Sequence, residues 1–146
     1  MVRYELQGEL SRISIPPAAQ TPARRNGLWE ETCFELFLAP KHSDRYWEFN
    51  LSPSGLWNVY RFDSYRRGMQ EEQTVTALPL LAETRGGSLV LSFETDLSTL
   101  IGKDEKAEAG IAAVVRLADG GLTYWALVHP GQKPDFHRRD SFLLEL

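Results

Sequence analysis

The chain has 146 residues, of which 42% are hydrophobic, 25% charged and 11% aromatic, and a formal charge of −4 from 16 basic and 20 acidic side chains. That length suits one domain with a real core, spanning residues 1–146, and the composition excludes disorder. Mild acidity supplies no phosphate-neutralising field, so nucleic acid is not expected as a partner.

In chain order, Tyr4 to Ile15 alternates apolar and polar residues and predicts a strand, ended by Pro16-Pro17. A polar loop, Ala18 to Gly27, leads to the apolar run Cys33-Phe34-Glu35-Leu36-Phe37-Leu38, a second strand interrupted by one carboxylate. Tyr46 to Leu51 and Leu56 to Phe62 flank the turn signal Ser52-Pro53-Ser54-Gly55 and read as a hairpin. Asp63 to Gln73 is polar and suits a helical turn or a bulged excursion.

Thr74 to Thr84 and Ser88 to Glu94 flank Arg85-Gly86-Gly87, a second hairpin. Asp96 is placed to cap a short helix over Leu97 to Ile101. Lys103 to Ala109 reads as a charged linker. Gly110 to Leu117 and Thr123 to Val128 flank Ala118-Asp119-Gly120-Gly121, and Ser141 to Leu146 closes the chain as a strand. Roughly eight or nine short strands with repeated turns predict an all-β, two-sheet antiparallel sandwich, jelly-roll or immunoglobulin-like, with one short helix.

The single cysteine, Cys33, excludes an internal disulfide and reads as a small buried core residue in a reducing, cytoplasmic compartment. Met1-Val2-Arg3-Tyr4-Glu5 has no apolar leader, and no span has transmembrane length, so no membrane partner is expected. Oligomeric state is not legible.

Several strands carry polar residues of a kind that needs partners. Glu35 lies among Phe34, Leu36 and Phe37; Glu48 and Asn50 alternate with Trp47, Phe49 and Leu51. Trp57, Val59 and Arg61 share one face of their strand, with Asn58, Tyr60 and Phe62 on the other. Arg116 is the lone charge in its strand, Trp125 sits mid-strand and His129 at a strand end. Charges buried on such strands either satisfy one another or face a ligand. A mono- or oligosaccharide suits the second option, its hydroxyls meeting Arg, Glu and Asn while rings cover its C–H face. A solvated outer face with incidental ion pairs is the plainer alternative. The period assigns Trp47 to the core, whereas Trp29, in a loop after Asn26-Gly27, is the candidate exposed platform.

The stretches Leu28-Trp29-Glu30-Glu31-Thr32-Cys33-Phe34-Glu35-Leu36-Phe37 and Tyr46-Trp47-Glu48-Phe49-Asn50-Leu51-Ser52-Pro53-Ser54-Gly55 resemble the opening of a DOMON-like domain related to family 9 carbohydrate-binding modules. The likeness continues through Trp57 to Arg66, His129-Pro130 and Lys133-Pro134-Asp135-Phe136-His137, and is to an uncharacterised bacterial branch. It implies a β-sandwich whose relatives bind sugar or haem without catalysis. Trp29 and Glu35 match the early motif, and Trp125 is the second platform by positional analogy. Haem-binding relatives use a Met and a His; this chain has Met1 and Met69, the latter in a polar segment.

The expected ligand-binding set is therefore Trp29, Glu35, Glu48, Asn50, Trp57, Arg61, Arg116, Trp125 and His129, with no cofactor. His129, Asp135, His137, Asp140 and Ser141 supply the residue types of a triad or metal site, but lack a nucleophile elbow or an established zinc spacing. Calcium stays open, with Glu30-Glu31 as its pointer. Glu35 with Glu48 has the residue types of a glycosidase pair, although neighbouring arginines would hold both ionised. A non-catalytic module is the reading adopted. The alternatives are a structural or protein-interaction module pairing through an edge strand, and a haem-binding DOMON-type domain.

Overall fold

The computed structural model describes residues 1–146 and contains ten strands in two antiparallel sheets. They are β1 (Val2–Gln7), β2 (Cys33–Pro40), β3 (Tyr46–Leu51), β4 (Trp57–Phe62), β5 (Gln70–Glu71), β6 (Leu80–Arg85), β7 (Ser88–Phe93), β8 (Ala107–Arg116), β9 (Leu122–Ala126) and β10 (Leu144–Glu145). The smaller sheet has the order β1-β7-β6. The larger runs β10-β8-β2-β3-β4-β5, with β9 also on β8. β10 pairs with Glu108 and Ala109, β9 with Ala112 to Arg116, so the two share the β8 edge opposite β2. The fold is an all-β sandwich.

The period-two pattern explains the core. Phe34, Leu36 and Leu38 of β2, Trp47, Phe49 and Leu51 of β3, and Trp57 and Val59 of β4 point to the smaller sheet. There they meet Tyr4, Leu89, Leu91 and Phe93. The whole of β2 is buried, so its other face is covered too. A second apolar cluster lies there, built from Phe37, Tyr46, Tyr60, Phe62, Ala112 and Phe142, with Phe136 packed against it. Its cover is the segment 130–142. Arg139 clamps that segment, donating to Glu108 Oε2 at 2.9 Å, to the Ser43 carbonyl at 3.0 Å and to the Pro40 carbonyl at 2.6 Å.

Local departures from the expected elements have visible causes. The first strand ends at Gln7, because Gly8 takes a positive φ of 142° and a 3-10 turn follows at Leu10–Arg12; Ile13 keeps only an isolated bridge to Leu117. The expected helix after Asp96 is a single 3-10 turn, Leu97–Thr99, although Asp96 does cap it by accepting from the Ser98 N–H at 2.9 Å. Ala107 to Ala109, expected as linker, opens β8 because Ala107 and Ala109 are buried against the core. The closing strand shrinks to Leu144–Glu145, since Arg139–Ser141 turns to seat Phe142 in the second cluster. Asp63 to Gln73 holds no helix; Arg66 sits at φ 55° in a tight excursion leading to β5. No helix is long and apolar enough to cross a membrane.

Candidate functional site

Cross-strand partners share a face of the sheet, so register decides what meets what. On β2 and β3, Glu35 lies opposite Asn50 and Phe37 opposite Glu48. Asn58 and Tyr60 on β4 face Asn50 and Glu48, while β8 places Ala112 opposite Glu35. The outer face of the large sheet thus carries two carboxyls and two amides beside small residues. The space above Val114 becomes a cleft of about 480 Å³. Its floor is Glu35 and Glu48, its walls are Trp29, Phe62, Tyr124 and Phe136, and Arg66, Asp135 and His137 close one side.

Each wall is held by its own contacts. Trp29 rides on a 3-10 turn, Leu28–Glu30, entered through Gly27 at φ 76°. Asn58 ties down the preceding loop: Oδ1 accepts from Arg24 at 2.6 Å, and Nδ2 donates to Asn26 Oδ1 at 2.9 Å. Tyr60 also donates to Asn26, and the Trp29 ring stands edge-on to it, 5.9 Å between centroids. On the opposite wall Asp135 accepts from the Tyr65 hydroxyl, from Arg66 at 2.8 Å and from the His137 N–H at 3.2 Å. Burial works against its charge, but the Tyr65 and Arg66 hydrogen bonds hold the Asp135 carboxyl below its usual range.

The floor behaves differently. Burial, then the neighbouring Glu48 charge, pushes the Glu35 carboxyl well above the usual carboxylate range. Burial raises Glu48 to about 7, opposed by the Asn50 amide, which donates to its Oε1 at 3.1 Å, and by the Arg66 charge. Both carboxyls therefore hold their protons to higher pH than an exposed glutamate does. Burial, then the Arg66 charge, lowers His137 to about 4 against the pull of Asp135. Its imidazole is neutral, so the 3.8 Å approach to Glu48 Oε2 is not an ion pair. The Tyr46 hydroxyl accepts the Arg66 N–H at 3.1 Å and shares a hydrogen bond with His137 Nδ1 at 2.8 Å.

Met69 and His137 line the same cleft, with His137 Nδ1 hydrogen-bonded to Tyr46 and Nε2 3.8 Å from Glu48 Oε2. No group of three or more His, Cys, Asp or Glu side chains converges as a metal site.

Of the expected set, Trp29, Glu35 and Glu48 line the cleft, and Asn50 lies beneath it, bonded to Glu48. Arg116 shares the face but stays outside the lining, bound to Glu31 at 2.9 Å and to the Glu30 carbonyl at 3.1 Å. The other four residues lie elsewhere. Trp57 is on the inner face, 5% exposed, with the Arg24 guanidinium 4.6 Å above its ring. Arg61 shares that face, opposite Trp47, and donates to Gln70. Trp125 pairs with Ala113 and points away from the cleft, 61% exposed; its neighbour Tyr124, opposite Val114, points in. His129 is exposed behind the cleft, stacked on Phe136. Arg66, Tyr124, Phe136, Asp135 and His137 complete the lining without having been expected there. The signal for the last three was the Pro134-Asp135-Phe136-His137 cluster itself.

One solved structure shares the fold. It is a crystal structure from Bacteroides uniformis named "putative carbohydrate-binding protein", with a TM-score of 0.64 at 17% identity. The alignment covers 96% of this chain and 69% of that one. Searches of protein-family models and of curated proteins return no match.

Proposed function

We propose that this chain is a non-catalytic module that binds a mono- or oligosaccharide in the cleft over Glu35 and Glu48, as a DOMON-like domain related to family 9 carbohydrate-binding modules. The observation that carries the reading is the convergence of aromatic walls on a floor of buried carboxyls. Aromatic faces cover the C–H surface of a sugar, and carboxyls and amides bond its hydroxyls. The volume, about 480 Å³, suits a small ligand. The name of the structural neighbour supports the same ligand class.

Binding is favoured over hydrolysis by the placement of the carboxyls. Glycoside hydrolysis needs two carboxyls flanking the scissile bond. Glu35 and Glu48 rise side by side from one floor on adjacent strands, with neither across the cleft from the other. The test is a thermal-shift panel of mono- and disaccharides on the wild type and Trp29→Ala. A saccharide-specific rise in melting temperature, lost in the variant, is the expected result. No shift with any saccharide overturns the reading.

A further inference from the structure

The Glu35 carboxyl is buried, 3% exposed, lines the cleft, and accepts no hydrogen bond from any protein donor. Its backbone is satisfied: the carbonyl accepts from the Tyr4 hydroxyl at 2.8 Å. Buried polar side chains otherwise find partners, so one left open towards a cleft points to a ligand group.

The charge around it says which group. Glu35 shares β2 with the buried thiol of Cys33; β3 contributes Glu48 and Tyr46, and β4 contributes Tyr60. β8 brings Ala112 and Val114, with Arg116 further along the same face but outside the lining and paired with Glu31; β9 brings Tyr124, and the turn before β2 brings Glu30. The remaining wall holds Arg66, Asp135 and His137. Arg66 is the one cation among them, and it is paired with Asp135 at 2.8 Å, while His137 is neutral. The Arg66 charge favours ionised Glu48 from a distance, but its ion pair is with Asp135, and no cation is bonded to either carboxyl. The aromatic walls present π faces, which also favour a cation.

We infer that the cleft recognises a protonated amine, so that among saccharides it selects amino sugars, with the ammonium group seated between Glu35 and Glu48. This rests on the saccharide-binding reading above. The ammonium takes the place of the protons that the pair retains in the free protein, and these pass to solvent. Binding therefore releases protons and tightens as pH rises towards the Glu48 titration at about 7.

The test is calorimetry on the full chain with D-glucosamine, D-glucose, N-acetyl-D-glucosamine and calcium chloride, in two buffers of different ionisation enthalpy. D-Glucosamine is expected to bind at least about tenfold tighter than either neutral sugar, with net proton release. Glu35→Gln and Glu48→Gln, nearly isosteric and checked for folding by circular dichroism, should each remove that preference, whereas Trp125→Ala should keep it. Equal binding of D-glucose and D-glucosamine without proton release overturns the amine inference and leaves the saccharide reading standing. Absence of binding by every sugar overturns both. Calcium binding that both Gln variants abolish, without a glucosamine preference, also overturns it and gives the pair to a metal.

Discussion

Glu35 and Glu48 are diagonal neighbours on adjacent strands: Glu35 stands opposite Asn50, two residues along from Glu48, and both carboxyls share one buried face. Like charges placed so close and so dry resist ionisation together. Most of the protein's expected pH behaviour follows from that placement.

Stability should fall as pH rises above about 6.5. Glu48, raised from 4.5 to about 7, holds its proton more tightly folded than unfolded, so its contribution is lost as pH rises across that span. Burial and the Glu48 charge raise Glu35 as well, and its loss has the same sign. His137, lowered from 6.5 to about 4, acts oppositely and adds stability as pH rises to 6.5. Above that the carboxyl loss is unopposed. Melting temperature should decline as pH rises above about 6.5, and the double variant Glu35→Gln/Glu48→Gln should flatten the profile. A flat wild-type profile would show that the floor stays ionised.

Trp29 should matter more for ligand than for fold. Its ring is 37% exposed and touches Tyr60 edge-on. Trp29→Ala should cost about 1 kcal/mol, the size of an aromatic pair, in a denaturant melt. A loss of about 3–5 kcal/mol would make it a core plug instead.

Two other tryptophans should separate sharply. Trp57 is buried in the inner core, so Trp57→Ala should cost about 3–5 kcal/mol. Trp125 faces away from the cleft, and its replacement by Ala should stay within about 0.5 kcal/mol and spare any ligand-induced shift. Urea melts of the two variants, run side by side, measure the contrast.

The wall around His137 should loosen when its anchor is cut. Asp135→Ala removes the acceptor of Tyr65, Arg66 and the His137 N–H. Because Arg66 is half exposed, the loss should be modest, about 1–2 kcal/mol. Hydrogen exchange should quicken in segments 64–68 and 134–138 while β2 and β3 keep their protection. Unchanged exchange in both segments would show that packing of Phe136 holds them without the ion pair.

Much of this protein was legible from local pattern. Alternation of side chains is a property of each strand alone, so most of the strands, the turns at Ser52–Gly55 and Gly86-Gly87, the inward ring of Trp47 and the common face of Glu48 and Asn50 needed no neighbours to be read. Alternation does not say which face meets the core. That depends on register against the next strand, and it set Asn58 rather than Trp57, and Tyr124 rather than Trp125, towards the site. The remaining wall was beyond local pattern altogether. Arg66 and Asp135 lie 69 residues apart in irregular segments, and only the path of the segment 130–142 over the outer face of the sheet brings them together. The packing of Phe136 and Phe142 against that face decided where the cleft lies and which charges surround it.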